Sequence, residues 1–187
     1  MGPHLLQPSK EAKPPRNSPA PYQVGVREVL NSLRRIVRTL RVASRTAEQR
    51  VGLSGAQLFV LQCLARQSPC SVNELAARTA TDQSSVSVVV SRLVAAGHVR
   101  RTPSKLDRRK VELTLTRSGR LLLETAPEAA QDRLLSALTQ LPKADLHALS
   151  RILSRVVETA EVAHETPALF FEDVPAVVKA RGPARNA

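Results

Sequence analysis

From about Val24 to Arg50, apolar residues recur at three- and four-residue steps: Val26, Val29, Leu30, Leu33, Ile36, Val37, Leu40 and Ala43. That spacing puts them on one stripe, so the segment is predicted to form a single long amphipathic helix. Arg34, Arg35, Arg38, Arg41 and Arg45 occupy the rest of its circumference. Such a set is either a solvated basic face or a surface for an effector or DNA phosphate, and the pattern leaves both readings open.

Two short helices follow, each marked by its start. Ser54 and Gln57 have capping-box spacing, with Leu53 and Leu58 placed as a hydrophobic staple, so a helix should run from Ser54 to about Gln67. Ser71 and Glu74 repeat the box, flanked by Cys70 and Leu75, which predicts a third helix over Val72 to about Thr79. Thr81 and Asp82 offer N-cap side chains to a fourth, which should stop near Gly97. Val86, Val90 and Leu93 fall on one face of this fourth helix, while Gln83, Ser84, Ser87, Val88 and Ser91 lie away from it. One side is anchored and the other is small and mostly hydroxylated, as a groove-reading helix requires.

After Gly97 the period drops to two. His98-Val99-Arg100-Arg101 and Val111-Glu112-Leu113-Thr114-Leu115 alternate around Pro103, Ser104, Lys105 and Asp107, which reads as a β-hairpin. The helical period returns near Arg117, carries Leu121, Leu122, Leu123, Leu134, Leu135 and Leu138, and resumes in Leu146, Leu149, Ile152, Leu153, Val156 and Val157. Pro127 must kink or interrupt the first of these stretches, because it lacks an amide hydrogen and its ring collides with the preceding turn. The expected fold class is therefore mainly α with one small hairpin.

Composition narrows the partners. Lys and Arg number 28 against 16 Asp and Glu, for a formal net charge of +12, which favours a polyanion. No apolar run is long enough to span a bilayer, so no membrane role is expected. Residues 1–22, with Pro3, Pro8, Pro14, Pro15, Pro19 and Pro21, read as a disordered arm without the apolar stretch of a signal peptide. Cys63 and Cys70 are too few for a disulfide-stapled fold, which fits a cytoplasmic protein, and both are placed for core packing. His4, His98, His147 and His164 lack acidic or cysteine neighbours at ligand spacing, so neither metal nor cofactor is expected. No phosphate loop, nucleophile elbow or paired-carboxylate site is evident, so an enzyme is not expected.

The segment from His98 to Lys110 concentrates Arg100, Arg101, Lys105, Arg108, Arg109 and Lys110 against a single acid, Asp107. On a hairpin directly after a groove-reading helix, such a cluster can follow the backbone into a minor groove. The run from Val86 through Arg92-Leu93 to Gly97 and Arg101, then Asp107-Arg108-Arg109, then Leu115-Thr116 and Gly119, resembles the signature of the MarR (multiple antibiotic resistance regulator) family. The similarity covers roughly 24 to 163.

That resemblance implies a winged helix-turn-helix with long terminal dimerisation helices in a bacterial transcriptional regulator. It also implies that Arg109 enters the minor groove, with Asp107 orienting the wing. Ser84, Ser85, Ser87 and Val88 would face base edges, Arg92 would meet phosphate or brace the wing, and Arg101 would meet phosphate. Gln83, Ser91, Lys105 and Arg108 complete the expected DNA-binding set. Many relatives carry an acid where Ser91 stands and a polar or basic group where Val88 stands, so readout here rests on hydroxyls, Gln83 and apolar contact with thymine methyls.

The expected organisation is a domain over 23–163, with a DNA-binding core at about 53–116, and a tail over 164–187 whose Leu169, Phe170 and Phe171 dock on the body or on a partner subunit. A homodimer would set two recognition helices about 34–36 Å apart on a pseudo-palindromic operator. The resemblance adds a ligand-responsive repressor, with a small, anionic aromatic effector suggested by Arg34, Arg38 and Arg41. A sequence-tolerant architectural DNA protein is the alternative, and an enzyme with an unrecognised site has no residue in its favour.

Overall fold

The computed structural model describes residues 21–104, 107, 109–164 and 168–171. Most of the expected arm and tail, and Lys105 and Arg108 of the wing, lie outside them. The chain divides into two compact units at Val37/Arg38. Helix α1, Pro21–Val51, begins earlier than the periodicity suggested and takes in Pro21 and Tyr22 of the expected arm. A proline suits a first helical position, where its missing amide hydrogen has no partner to lose. In the first unit the described residues belong to α1, and Val26, Val29, Leu30, Leu33, Ile36 and Val37 are all exposed.

In the second unit the end of α1 buries Leu40, Ser44 and Ala47, spaced along one face. Gly55, the first residue of α2 (Gly55–Arg66), comes so close that its amide donates to Ser44 Oγ at 2.9 Å. A Cβ there would sit 3.0 Å from Ser44 Cβ. Both capping boxes exist. Ser54 and Gln57 exchange bonds at the head of α2, and Ser71 and Glu74 do so at the head of α3, Val72–Thr79. Each box satisfies two amides that a helix start otherwise leaves unpaired.

Helix α4, Gln83–Ala95, follows a tight turn in which Ala80 takes a left-handed conformation. The hairpin comprises β1, Val99–Pro103, and β2, Val111–Leu115, antiparallel with Val99 opposite Leu115 and Pro103 opposite Val111. Pro103, expected in the loop, thus ends β1, where a missing ladder donor is tolerated, and His98 precedes the strand. Cys70 adds a one-residue pairing on the other side of β2, exchanging amide bonds with Leu113 at 3.2 and 2.7 Å. A single paired residue has no period, so the sequence held no trace of it.

Pro127 interrupts the next helical stretch, leaving α5, Arg117–Thr125, and α6, Ala130–Thr139. The backbone that the break leaves without helical partners is satisfied from α2. Gln62 Nε2 donates to Pro127 O at 2.8 Å, and its Oε1 accepts from the Ala129 amide at 3.0 Å. Helix α7, Lys143–Thr159, follows. The core gathers Leu58, Leu61 and Leu64 of α2, Leu75 of α3, Val86, Val89, Val90 and Leu93 of α4, and Leu113 of β2. Leu169, only 5% exposed, joins it, and Gln131 Nε2 donates to Phe170 O at 3.1 Å. Among the described residues no helix is long and apolar enough to cross a membrane.

Candidate nucleic-acid interface

What aims α4 outward is its buried side. Val86, Val89, Val90 and Leu93 are fully buried against the core, so the opposite face is committed to solvent. Val89 was absent from the expected stripe; it widens the anchored face without disturbing the free one. Gln83, Ser84, Val88 and Ser91 are exposed, with Val88 at 43%, while Ser85, Ser87 and Arg92 are half-buried.

Asp82 organises the first turn. Its carboxylate accepts from the Ser84 hydroxyl, from the Ser85 amide at 2.9 Å and from the Ser85 hydroxyl at 2.7 Å. These bonds, the Ser84 hydroxyl foremost, hold the carboxyl well below the usual aspartate range. The Ser71 amide and hydroxyl lower Glu74 in the same way. With its proton directed at Asp82, exposed Ser84 presents oxygen lone pairs outward, so this turn offers an acceptor.

A second bracket ties the hairpin to α4. Arg101 Nη2 donates to Ser91 Oγ at 3.0 Å, and Ser91 Oγ donates to Ser87 O at 2.8 Å. Ser91, expected in the DNA-binding set, is thus a joint between helix and wing, and Arg101, expected on phosphate, braces that joint. At the wing tip Asp107 Oδ1 accepts the Arg109 amide at 3.0 Å, and Asp107 O accepts the Lys110 amide at 2.9 Å. This turn leaves the Arg109 and Lys110 side chains exposed, as Arg100 and Arg101 are on β1.

The far end of α4 is latched to α5. Gly97 takes φ +76° and closes the helix. Thr116 Oγ1 donates to Gly97 O at 2.7 Å and accepts the Gly119 amide at 3.0 Å, capping α5 while holding the turn. A Cβ on Gly119 would lie 2.3 Å from His98 O. The Leu-Thr-x-x-Gly pattern therefore has a steric reason, one that spacing alone did not give.

Other chemistry is thin at this surface. Among the described residues no group of three or more His, Cys, Asp or Glu could hold a metal ion. Cys63 and Cys70 are both buried free thiols. Burial, helped by nearby Asp132, pushes Cys63 up to about 11, and burial also raises Cys70, so neither is a ready thiolate.

Comparison with known proteins points one way. A sequence profile of the MarR family matches residues 51–110. The HTH-type transcriptional repressor NicR of Pseudomonas putida is 32% identical over 111 residues, covering 59% of this chain and 70% of NicR. The HTH-type transcriptional repressor MdtR of Bacillus subtilis is 29% identical over 133 residues, covering 70% of this chain and 86% of MdtR. Among solved structures, Bordetella bronchiseptica BpsR, described for regulation of its DNA binding by 6-hydroxynicotinic acid, is 30% identical with a TM-score of 0.47, over 69% of this chain and 98% of that one.

Proposed function

This chain belongs to the MarR family of DNA-binding transcriptional regulators, and from that premise we propose that it is a ligand-responsive repressor that grips a pseudo-palindromic operator as a homodimer. Helix α4 enters the major groove with Gln83, Ser84, Ser85, Ser87 and Val88 toward base edges. The hairpin lies along the flanking backbone, with Arg109 in the minor groove and Arg92, Lys105 and Arg108 on phosphates.

The observation that carries this reading is the bracket from Arg101 to Ser91, which makes the small polar face of α4 and the basic hairpin one continuous surface. The outward acceptor on α4 suits the amino donors of adenine and cytosine, Gln83 suits adenine, and Val88 suits a thymine methyl. Each good contact discriminates by roughly 1–3 kcal/mol.

The homodimer is supported by apolar stripes left exposed among the described residues. On α7 Ile152, Leu153, Val156 and Val157 are exposed, as are the stripe residues of α1. Contiguous apolar surface of this kind marks an interface in a water-facing protein. An anionic effector is supported by a cavity of about 400 Å³ where Arg38 of α1 and Arg133 of α6, against one acid, Glu128, meet the Pro127 break.

Selection from a random duplex pool, followed by competition between the selected duplex and random sequence, tests the reading. A regulator shows a specificity ratio of at least about a thousandfold. A ratio near one establishes the architectural alternative.

A further inference from the structure

A serine hydroxyl carries one proton and two lone pairs, and a free one turns to suit whichever base edge it meets. The exposed serines of α4 lack that freedom. Ser84 gives its proton to Asp82, whose Oδ1 accepts both the Ser84 hydroxyl and the Ser85 amide, the latter at 2.9 Å. Asp82 Oδ2 accepts the Ser85 hydroxyl at 2.7 Å. Two turns further on, Ser91 Oγ donates to Ser87 O at 2.8 Å and accepts from Arg101 Nη2 at 3.0 Å. Ser84 and Ser91 are exposed, where Ser85 and Ser87 are half-buried, and both point their protons back onto the protein.

Capping alone does not call for this arrangement. An N-cap needs one bond, from an amide of the first turn, and Asp82 makes it to Ser85. The two hydroxyl bonds are additional. An ionised carboxylate can only accept, so neither hydroxyl can turn its proton outward without leaving its partner. Bonds to a charged acceptor are about twice as strong as neutral ones, which holds both rotors in place. With Ser85 half-buried, it is Ser84 whose lone pairs lie open to a ligand.

We infer that Asp82, which itself need touch no base, is a positioning residue for sequence recognition: by holding the Ser84 proton it makes Ser84 an acceptor only, so the base facing Ser84 is adenine or cytosine, and guanine and thymine are refused. In the major groove adenine N6 and cytosine N4 donate, whereas guanine O6 and thymine O4 accept. Two acceptors brought face to face are both left without a partner once water is displaced. Each base pair joins one amino base to one keto base there, which gives the rule a distinctive signature. Exchanging adenine for cytosine on the contacted strand is tolerated, and turning either pair over is not. Groove width and bendability separate A·T from G·C stretches, so shape would group the bases differently. All of this rests on α4 facing a groove, as proposed above.

The test uses the full chain and a duplex selected from a random pool, with every position replaced by each of the four base pairs and affinity read by anisotropy. The pair that Ser84 faces is the one whose profile changes in Ser84→Ala. There the wild-type chain should bind adenine and cytosine within about threefold of each other, and guanine and thymine about tenfold more weakly, as one mismatched contact costs. Asp82→Gly, which keeps a tolerated cap residue, should free the hydroxyl and bring all four bases within about threefold. Asp82→Asn should keep the wild-type preference. The Ser85 amide is a donor, so it holds the asparagine oxygen on the side where Ser84 donates, and the asparagine nitrogen then faces Ser85 Oγ. A cap that only stabilised α4 would weaken all four duplexes together and leave their ratios as they were. Wild-type ratios in Asp82→Gly overturn the inference, as does a wild-type profile that does not set amino bases against keto bases, or an unchanged profile in Ser84→Ala. A chain that selects no duplex overturns the reading of α4 itself, and this rule with it.

Discussion

Helices α4 and α7 carry the same kind of sequence and meet opposite fates. Both repeat apolar residues at helical spacing, yet α4 buries Val86, Val89, Val90 and Leu93, while α7 buries none of its residues and leaves Ile152 and Val156 more than half exposed. The difference lies in what completes each stripe. Helices α2 and α3 and strand β1 of the same chain pack on α4. Among the described residues, nothing closes over the exposed stripe of α7. A period therefore reports which face is apolar, and only the surrounding chain decides whether that face is core or interface.

The comparison is broken most sharply by polar substitution on α7. Ile152→Gln with Val156→Gln should halve the mass read by light scattering at low micromolar concentration and abolish the concentration dependence of the melting temperature. Leu93→Ala, in contrast, should lower stability by about 2–5 kcal/mol at every protein concentration in denaturant titrations, since its stripe is closed within one chain. Gly119→Ala should cost about 1–3 kcal/mol, because a Cβ 2.3 Å from His98 O forces backbone apart where α5 meets the end of α4.

Smaller effects sharpen the account of the interface. Arg109→Ala should weaken duplex binding and flatten the slope of log K against log salt by about 0.9, the value for one released counterion, in salt-titrated anisotropy. Asp82 supplies a pH signature. Its folded carboxyl titrates below the ordinary aspartate value of about 3.9. The stability it contributes is therefore complete above about pH 4 and declines as pH falls through the lower, folded value. In acid denaturation, the stability gap between the wild-type chain and Asp82→Asn should narrow below about pH 4.

Much of the fold is legible in the sequence. Ser54, Ser71 and Asp82 marked three helix starts because a cap is a local event, written within four residues. The outward face of α4 followed from its period. What escaped were contacts between distant positions: Cys70 on Leu113, Gln62 across the Pro127 break, and Arg101 on Ser91. Spacing cannot show that a serine on a helix face is a joint with a strand ten residues later. Val89 was missed for a milder reason, since α4 is buried over a wider arc than a narrow stripe implies. At the wing, Asp107 was expected to orient the hairpin, and its Oδ1 accepts the Arg109 amide.

Amide hydrogen exchange on the full chain, with and without a selected duplex, examines the shared surface most directly. Slowed exchange should concentrate in the first turns of α4, from Ser84 to Ser91, and in the hairpin around Asp107 to Lys110, with α7 unchanged. Protection on α7 or along α1, with α4 and the hairpin exchanging as in the free protein, would contradict the account.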